Sequence, residues 1–108
     1  MQKNELMIPL SKLKKIVKTD KKEIFAFLAS VTEELGELAQ AIKVEEKILG
    51  TSKKVLKEDS KSEAVDVVIC ALAVFYAKLG TDKELEIIFN KKLDKWRKNQ
   101  LEELQIKK

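Results

Sequence analysis

Apolar residues recur at helical spacing in four stretches of this chain, separated by short polar or glycine-bearing breaks. Ile24, Leu28, Val31, Leu35, Leu38, Ile42 and Leu49 fall on one stripe at about 100° per residue. A long helix is therefore predicted from a capping box of Asp20 and Glu23 to about Leu49, closing at Gly50. Before it, Pro9 disfavours helix and Ser11 is placed to cap a short helix through Val17. The segment TSKKVLKEDS, residues 51–60, reads as the one real loop. Ser60 and Glu63 make a second capping box, and the helix it opens ends at Leu79 with Gly80 as its C-cap. Thr81 and Glu84 make a third, opening a helix to about Gln105. The expected fold class is all-α: a small bundle of one short and three long helices in a single domain, 1–108, with its core within 20–105.

The helix over 63–79 breaks the amphipathic pattern. From Ala64 to Tyr76 it is apolar all round except at Asp66. Such a pattern belongs to a buried element, and a chain of 108 residues has little material to cover one helix on every side. Completion of the bundle by dimerisation is expected, as a homodimer or a dimer of dimers, with this helix near the interface. Asp66 is the anomaly, because an unpaired buried carboxylate costs several kcal/mol or gives up its charge.

Composition narrows the chemistry. Three Gly and one Pro, with 44% hydrophobic and 37% charged residues, suit a helical protein. The longest apolar run is shorter than the roughly 20 residues of a membrane span, and MQKNELMIPLSKLKK lacks a signal peptide's apolar segment, so the expected location is cytoplasmic without membrane partners. The one cysteine, Cys70, lies in the apolar run and reads as a small core residue. With no histidine, the usual serine and cysteine triads, His-based zinc sites and Glu-x-x-His di-iron sites are excluded. Acid, base or metal chemistry must come from Asp and Glu. The net charge of +4 and pI near 9.1 come from the runs KLKK, KTDKK and NKKLDKWRK, which suit solvated helix faces or a phosphate-bearing partner.

The carboxylates form a constellation. Glu33, Glu34 and Glu37 cluster within about 100° on the second helix, away from its leucine stripe. The simplest account is a solvated face, but the neighbours of Glu33 at helical spacing are Ala29, Ser30, Gly36 and Glu37, and no lysine balances them. The surrounding Ala26, Ala29, Ser30, Gly36, Ala41 and Val44 are small or apolar and suit the close approach of another helix. On the third helix Glu63 and Asp66 lie about 60° apart, with Cys70, Ala73 and Ala77 continuing their face. Glu63 has a capping role to explain it; Asp66 has none of comparable weight. Antiparallel pairing of the two helices would bring Glu33, Glu34, Glu37, Glu63 and Asp66 together as an all-oxygen ligand set, which suits Mg²⁺ or Mn²⁺.

The same residues resemble a known pattern. MazG-like nucleoside triphosphate pyrophosphohydrolases, of the all-α NTP pyrophosphatase superfamily, carry a Glu-Glu-x-x-Glu helix followed after a variable spacer by Glu-x-x-Asp. Here EELGE spans Glu33 to Glu37 and EAVD spans Glu63 to Asp66, and the similarity extends from about Phe25 to Arg97. The resemblance implies Mg²⁺-dependent hydrolysis of an NTP or dNTP between the α and β phosphates, giving a monophosphate and pyrophosphate, with Mn²⁺ as a substitute ion. It implies that Glu34, Glu37, Glu63 and Asp66 hold metal, and that Glu33 is a further ligand or orients the attacking water. Lys92 and Arg97 match the family's phosphate-binding cations, whereas Trp96 stands where Asn is common. Trp96 lies on the apolar stripe with Phe89 and Leu93 and reads as core, a contact to the base being the alternative.

House-cleaning of noncanonical nucleotides, dUTP or dCTP hydrolysis and phosphoribosyl-ATP hydrolysis share these carboxylates. From a different class, a non-catalytic helical dimer would bind nucleic acid or a protein through its basic helices. Against that stand the few aromatic residues and the lack of an expected exposed aromatic platform on any basic helix.

Overall fold

The computed structural model describes residues 7–20, 22–47 and 58–106. They form four helices, α1 (Leu10–Thr19), α2 (Ile24–Glu45), α3 (Ser60–Ala77) and α4 (Asp82–Ile106), and no strand occurs among them. The all-α class holds, as does the division into one short and three long helices. The chain forms two compact units, Met1–Lys78 with the first three helices and Leu79–Lys108 with the fourth.

Helix termini follow competition for polar groups. Only the Thr81 and Glu84 box forms as expected: the Thr81 amide donates to Glu84 Oε1 at 2.9 Å and the Glu84 amide to Thr81 Oγ1 at 3.1 Å. Asp20 does not cap α2, because its carboxylate accepts from the Lys22 amide at 3.1 Å and meets the Lys22 ammonium at 3.9 Å. The helix starts later, at Ile24, with no side-chain cap. Ser60 is likewise not a cap. Its amide and hydroxyl donate to Glu45 at the end of α2, at 2.8 and 2.6 Å, and Asp59 caps α3 one residue earlier by accepting from the Ser62 amide. Ser11 sits inside α1, which begins at Leu10 behind Pro9 and runs past Val17 to Thr19.

The two glycine stops also shift. α2 ends at Glu45 and Lys47 takes the left-handed conformation (φ 55°), while the expected Leu49 and Gly50 lie outside the described residues, as does most of the loop (51–57). α3 ends at Ala77, and Leu79, ahead of the expected Gly80 cap, is left-handed (φ 66°).

α2 and α3 pair antiparallel: Glu45 at the end of one meets Ser60 at the start of the other, and further along Glu34 is close enough to Cys70 to perturb its thiol. Phe27, Ala41, Ala73 and Tyr76 are buried here, and Ala41 and Ala73 allow close approach of the backbones. α1 closes the far side of α3, with Val17 buried and the Lys14 ammonium 5.8 Å from the centre of the Tyr76 ring. Full burial of a large side chain such as Phe27 contributes about 1.5–3 kcal/mol.

The buried face of α2 departs from the leucine stripe. Phe27, Glu34 and Ala41, seven residues apart, mark the face turned inward, whereas Leu28, Leu35 and Ile42 remain exposed. At about 100° per residue the two faces differ by about a quarter turn. The apolar third helix is not enclosed by the chain either, since Val65, Val68 and Ile69 are exposed.

Candidate metal centre

The inward turn of α2 carries carboxylates into a helix interface. Glu34 and Glu37 are half-buried, Asp66 is half-buried, and Glu63, in the first turn of α3, is only 5% exposed. Carboxylate oxygens of Glu34, Glu37 and Glu63 all lie within 4.8 Å of one another. Those of Glu58, Glu63 and Asp66 form a second such trio, which meets the first at Glu63.

The electrostatics are those of like charges without compensation. Glu34 titrates above its ordinary value of 4.5, first because burial penalises its charge and then because Glu37, Asp66, Glu33 and Glu58 repel it. Glu63 is raised in the same way, by burial and then by Glu37, Glu58, Asp66 and Glu34. Glu63 Oε1 is buried with no hydrogen-bond partner among the described residues. Gln40, one turn after Glu37, has a buried Nε2 in the same state.

This donor set fits a hard divalent cation. It offers only oxygens, each trio is compact enough to share one ion's coordination sphere, and the orphaned Glu63 oxygen lacks the positive partner that a buried charge requires. Cys70 adds nothing soft: burial, then Glu34 and Asp66, push its thiol up, which keeps it protonated in the half-buried core position expected of it.

Four of the five carboxylates named from sequence are thus brought together. Glu33 is exposed and belongs to neither trio. Glu58 was missed by sequence reasoning, because it lies between elements where no periodicity assigns a face; its one signal is adjacency to the Asp59 cap. Lys92, Trp96 and Arg97 lie on α4, in the second unit, where Arg97 Nη1 donates to Gln100 Oε1 at 2.6 Å. Trp96 is 70% exposed, not core, because a single helix cannot bury its own stripe. With Phe89 also exposed, the basic stretch 91–98 of α4 does lie beside aromatic surface, contrary to expectation.

Comparison of the chain with protein-family models, curated proteins and solved structures gives no match. No described helix is long and apolar enough to cross a membrane.

Proposed function

We propose that this chain is a Mg²⁺-dependent nucleoside triphosphate pyrophosphohydrolase of the MazG-like kind, acting as a homodimer on cytoplasmic nucleotides. One observation carries the proposal: α2 docks on α3 by the face of Glu34 and Glu37 and leaves Leu28, Leu35 and Ile42 outside. That arrangement costs desolvation and repulsion unless a cation occupies the carboxylates and a second copy covers the leucines.

Glu34, Glu37, Glu63 and Asp66 would hold the ion, and their half-buried positions would keep its protein side dry. A bound Mg²⁺ supplies charge neutralisation of the polyphosphate and fixes the leaving group. Glu33, exposed beside Glu34 and outside both trios, is free to orient the attacking water and accept its proton. The oxygen of that water forms the new bond to phosphorus, the α–β anhydride bond breaks, and pyrophosphate departs. Lys92 and Arg97 would offer cations to the phosphates, and exposed Trp96 a face for a base. Noncanonical nucleotides, dUTP or dCTP, and phosphoribosyl-ATP are the candidate substrates.

The test is release of pyrophosphate from a panel of NTPs and dNTPs, with Mg²⁺ and with EDTA. Metal-dependent release is expected, and Asp66→Asn should abolish it while helical content by circular dichroism is retained. Undiminished turnover in the variant would remove Asp66 from the site, and no turnover on any substrate would overturn the enzymatic reading.

A second reading gains one observation. On α4, Lys92 lies one turn before exposed Trp96 and Lys95 and Arg97 stand beside it in sequence, a surface suited to stacking and phosphate contact in a non-catalytic nucleic-acid binder. Such binding would weaken steeply with salt and ignore Glu37 and Asp66.

A further inference from the structure

We propose that Glu45 and Ser60 form a positioning clasp, which holds the carboxylate faces of α2 and α3 against each other before any ion arrives. It rests on the metal-site reading above and adds what keeps that site assembled.

The two faces have reason to part. Glu34 and Glu37 on α2 meet Glu63 on α3 with carboxylate oxygens within 4.8 Å of one another, and Glu58 and Asp66 come equally close to Glu63. Glu63 is only 5% exposed, and its Oε1 has no hydrogen-bond partner among the described residues. Repulsion of this kind favours sliding or turning one helix until the charges separate.

The clasp opposes that movement at one end of the same faces. The Ser60 amide donates to Glu45 Oε2 at 2.8 Å and the Ser60 hydroxyl donates to Glu45 Oε1 at 2.6 Å, so both oxygens of one carboxylate are committed to one residue. Around α2, Glu45 lies about 20° from Glu34, and around α3, Ser60 lies about 60° from Glu63. Clasp and carboxylates therefore share one pair of facing sides, and a movement that opens the site also breaks the clasp.

The chemistry of the helix start makes Glu45 attractive to α3 where Glu34 and Glu37 repel it. Ser60 is the first residue of α3, so its amide is among the donors that a helix leaves unpaired, and Asp59 serves the Ser62 amide instead. A carboxylate at that end is favoured by the helix dipole and by charge-assisted bonds. Glu63 follows within the same turn, its amide donating to the Asp59 carbonyl at 3.0 Å, so fixing Ser60 fixes where Glu63 stands. Glu45 itself is exposed and belongs to neither trio, so its loss leaves the set of metal-binding oxygens unchanged.

The experiment is calorimetric titration of the whole chain with Mn²⁺ alone, without nucleotide, for wild type, Glu45→Gln, Ser60→Ala and Ser60→Thr. Thermal unfolding of each is followed in EDTA and in saturating Mn²⁺. Glu45→Gln should bind Mn²⁺ about tenfold more weakly, Ser60→Ala should lose less, and Ser60→Thr, which keeps the hydroxyl, should bind as wild type does. The gap in melting midpoint between wild type and Glu45→Gln should be wider in Mn²⁺ than in EDTA, because the ion stabilises the wild type more. Unchanged Mn²⁺ affinity in Glu45→Gln and Ser60→Ala, with equal gaps in both media, would overturn the positioning role and leave the metal site standing. A loss in Ser60→Thr as large as in Ser60→Ala would overturn the part given to the hydroxyl. No Mn²⁺ binding by wild type would overturn the metal-site reading and the clasp's role with it.

Discussion

At the scale of single residues, Glu63 and Glu34 make the site sensitive to protons. Both titrate above the ordinary glutamate value of 4.5, through burial first and neighbouring carboxylates second. A carboxyl raised in the folded state binds protons more readily there than in the unfolded chain, so its stabilising effect is complete below about 4.5 and is lost as pH rises through the folded value. The metal-free protein should therefore lose thermal stability between pH 4.5 and neutrality, followed by calorimetry in EDTA. Glu37→Gln should raise the metal-free midpoint at pH 7 by a few degrees and flatten that profile, because it removes the carboxylate that repels both residues most. Saturating Mg²⁺ should reverse the order of the two proteins. A large loss of stability in Glu37→Gln would mean that its carboxylate supports the fold. Glu34, Glu37, Glu63 and Asp66 were legible in sequence because each lacked a lysine at helical spacing or stood in an apolar run. Glu58 had neither mark, and only the path of the chain brings it in.

At the scale of elements, boundaries were decided by which polar group reached a free amide first. The Thr81 and Glu84 box formed with its two residues bonded to each other, whereas Asp20 was taken by Lys22 and Ser60 by Glu45. Spacing alone could not show this, since Glu45 acts from fifteen residues away. The stop of α3 exposes the same limit. The sequence places a glycine at 80, yet Leu79 takes the left-handed turn at φ 66° with its side chain 85% exposed. Left-handed backbone costs a residue with a Cβ about 1–2 kcal/mol, and glycine returns part of that through its freer unfolded chain. Leu79→Gly should then stabilise by roughly 0.5–1 kcal/mol in urea unfolding, with no packing lost. Leu79→Ala is the control and should change stability by no more than a few tenths. Equal effects from both would locate the gain in removal of an exposed leucine.

At the scale of the molecule, the described residues bury few large apolar side chains. Among the described residues the buried apolar ones are Val17, Phe27, Ala41, Ala73 and Tyr76, two of them alanines, a small core against the conformational entropy of ordering these helices. Outside it remain Leu28, Leu35 and Ile42 along α2, and an apolar groove of about 670 Å³ between α1 and α3 lined by residues such as Ile16, Val65, Ile69 and Leu72. Periodicity marked the leucine stripe as a burial surface and left its partner open, because alternation of polar and apolar residues says that a face is covered, never by which chain. The proposed dimer supplies the cover, and it makes stability a function of concentration. The melting midpoint of wild type should rise with protein concentration, and sedimentation should give twice the 12.4 kDa chain mass. Leu35→Lys, at the centre of the stripe and 54% exposed in the single chain, would lose almost nothing if that face stayed in water. In a dimer seam it buries an unpaired ammonium, so the variant should sediment as a monomer, melt lower and lose its concentration dependence. Retention of the dimer by Leu35→Lys would move the interface to the α3 groove, where Ile69→Lys is the corresponding test.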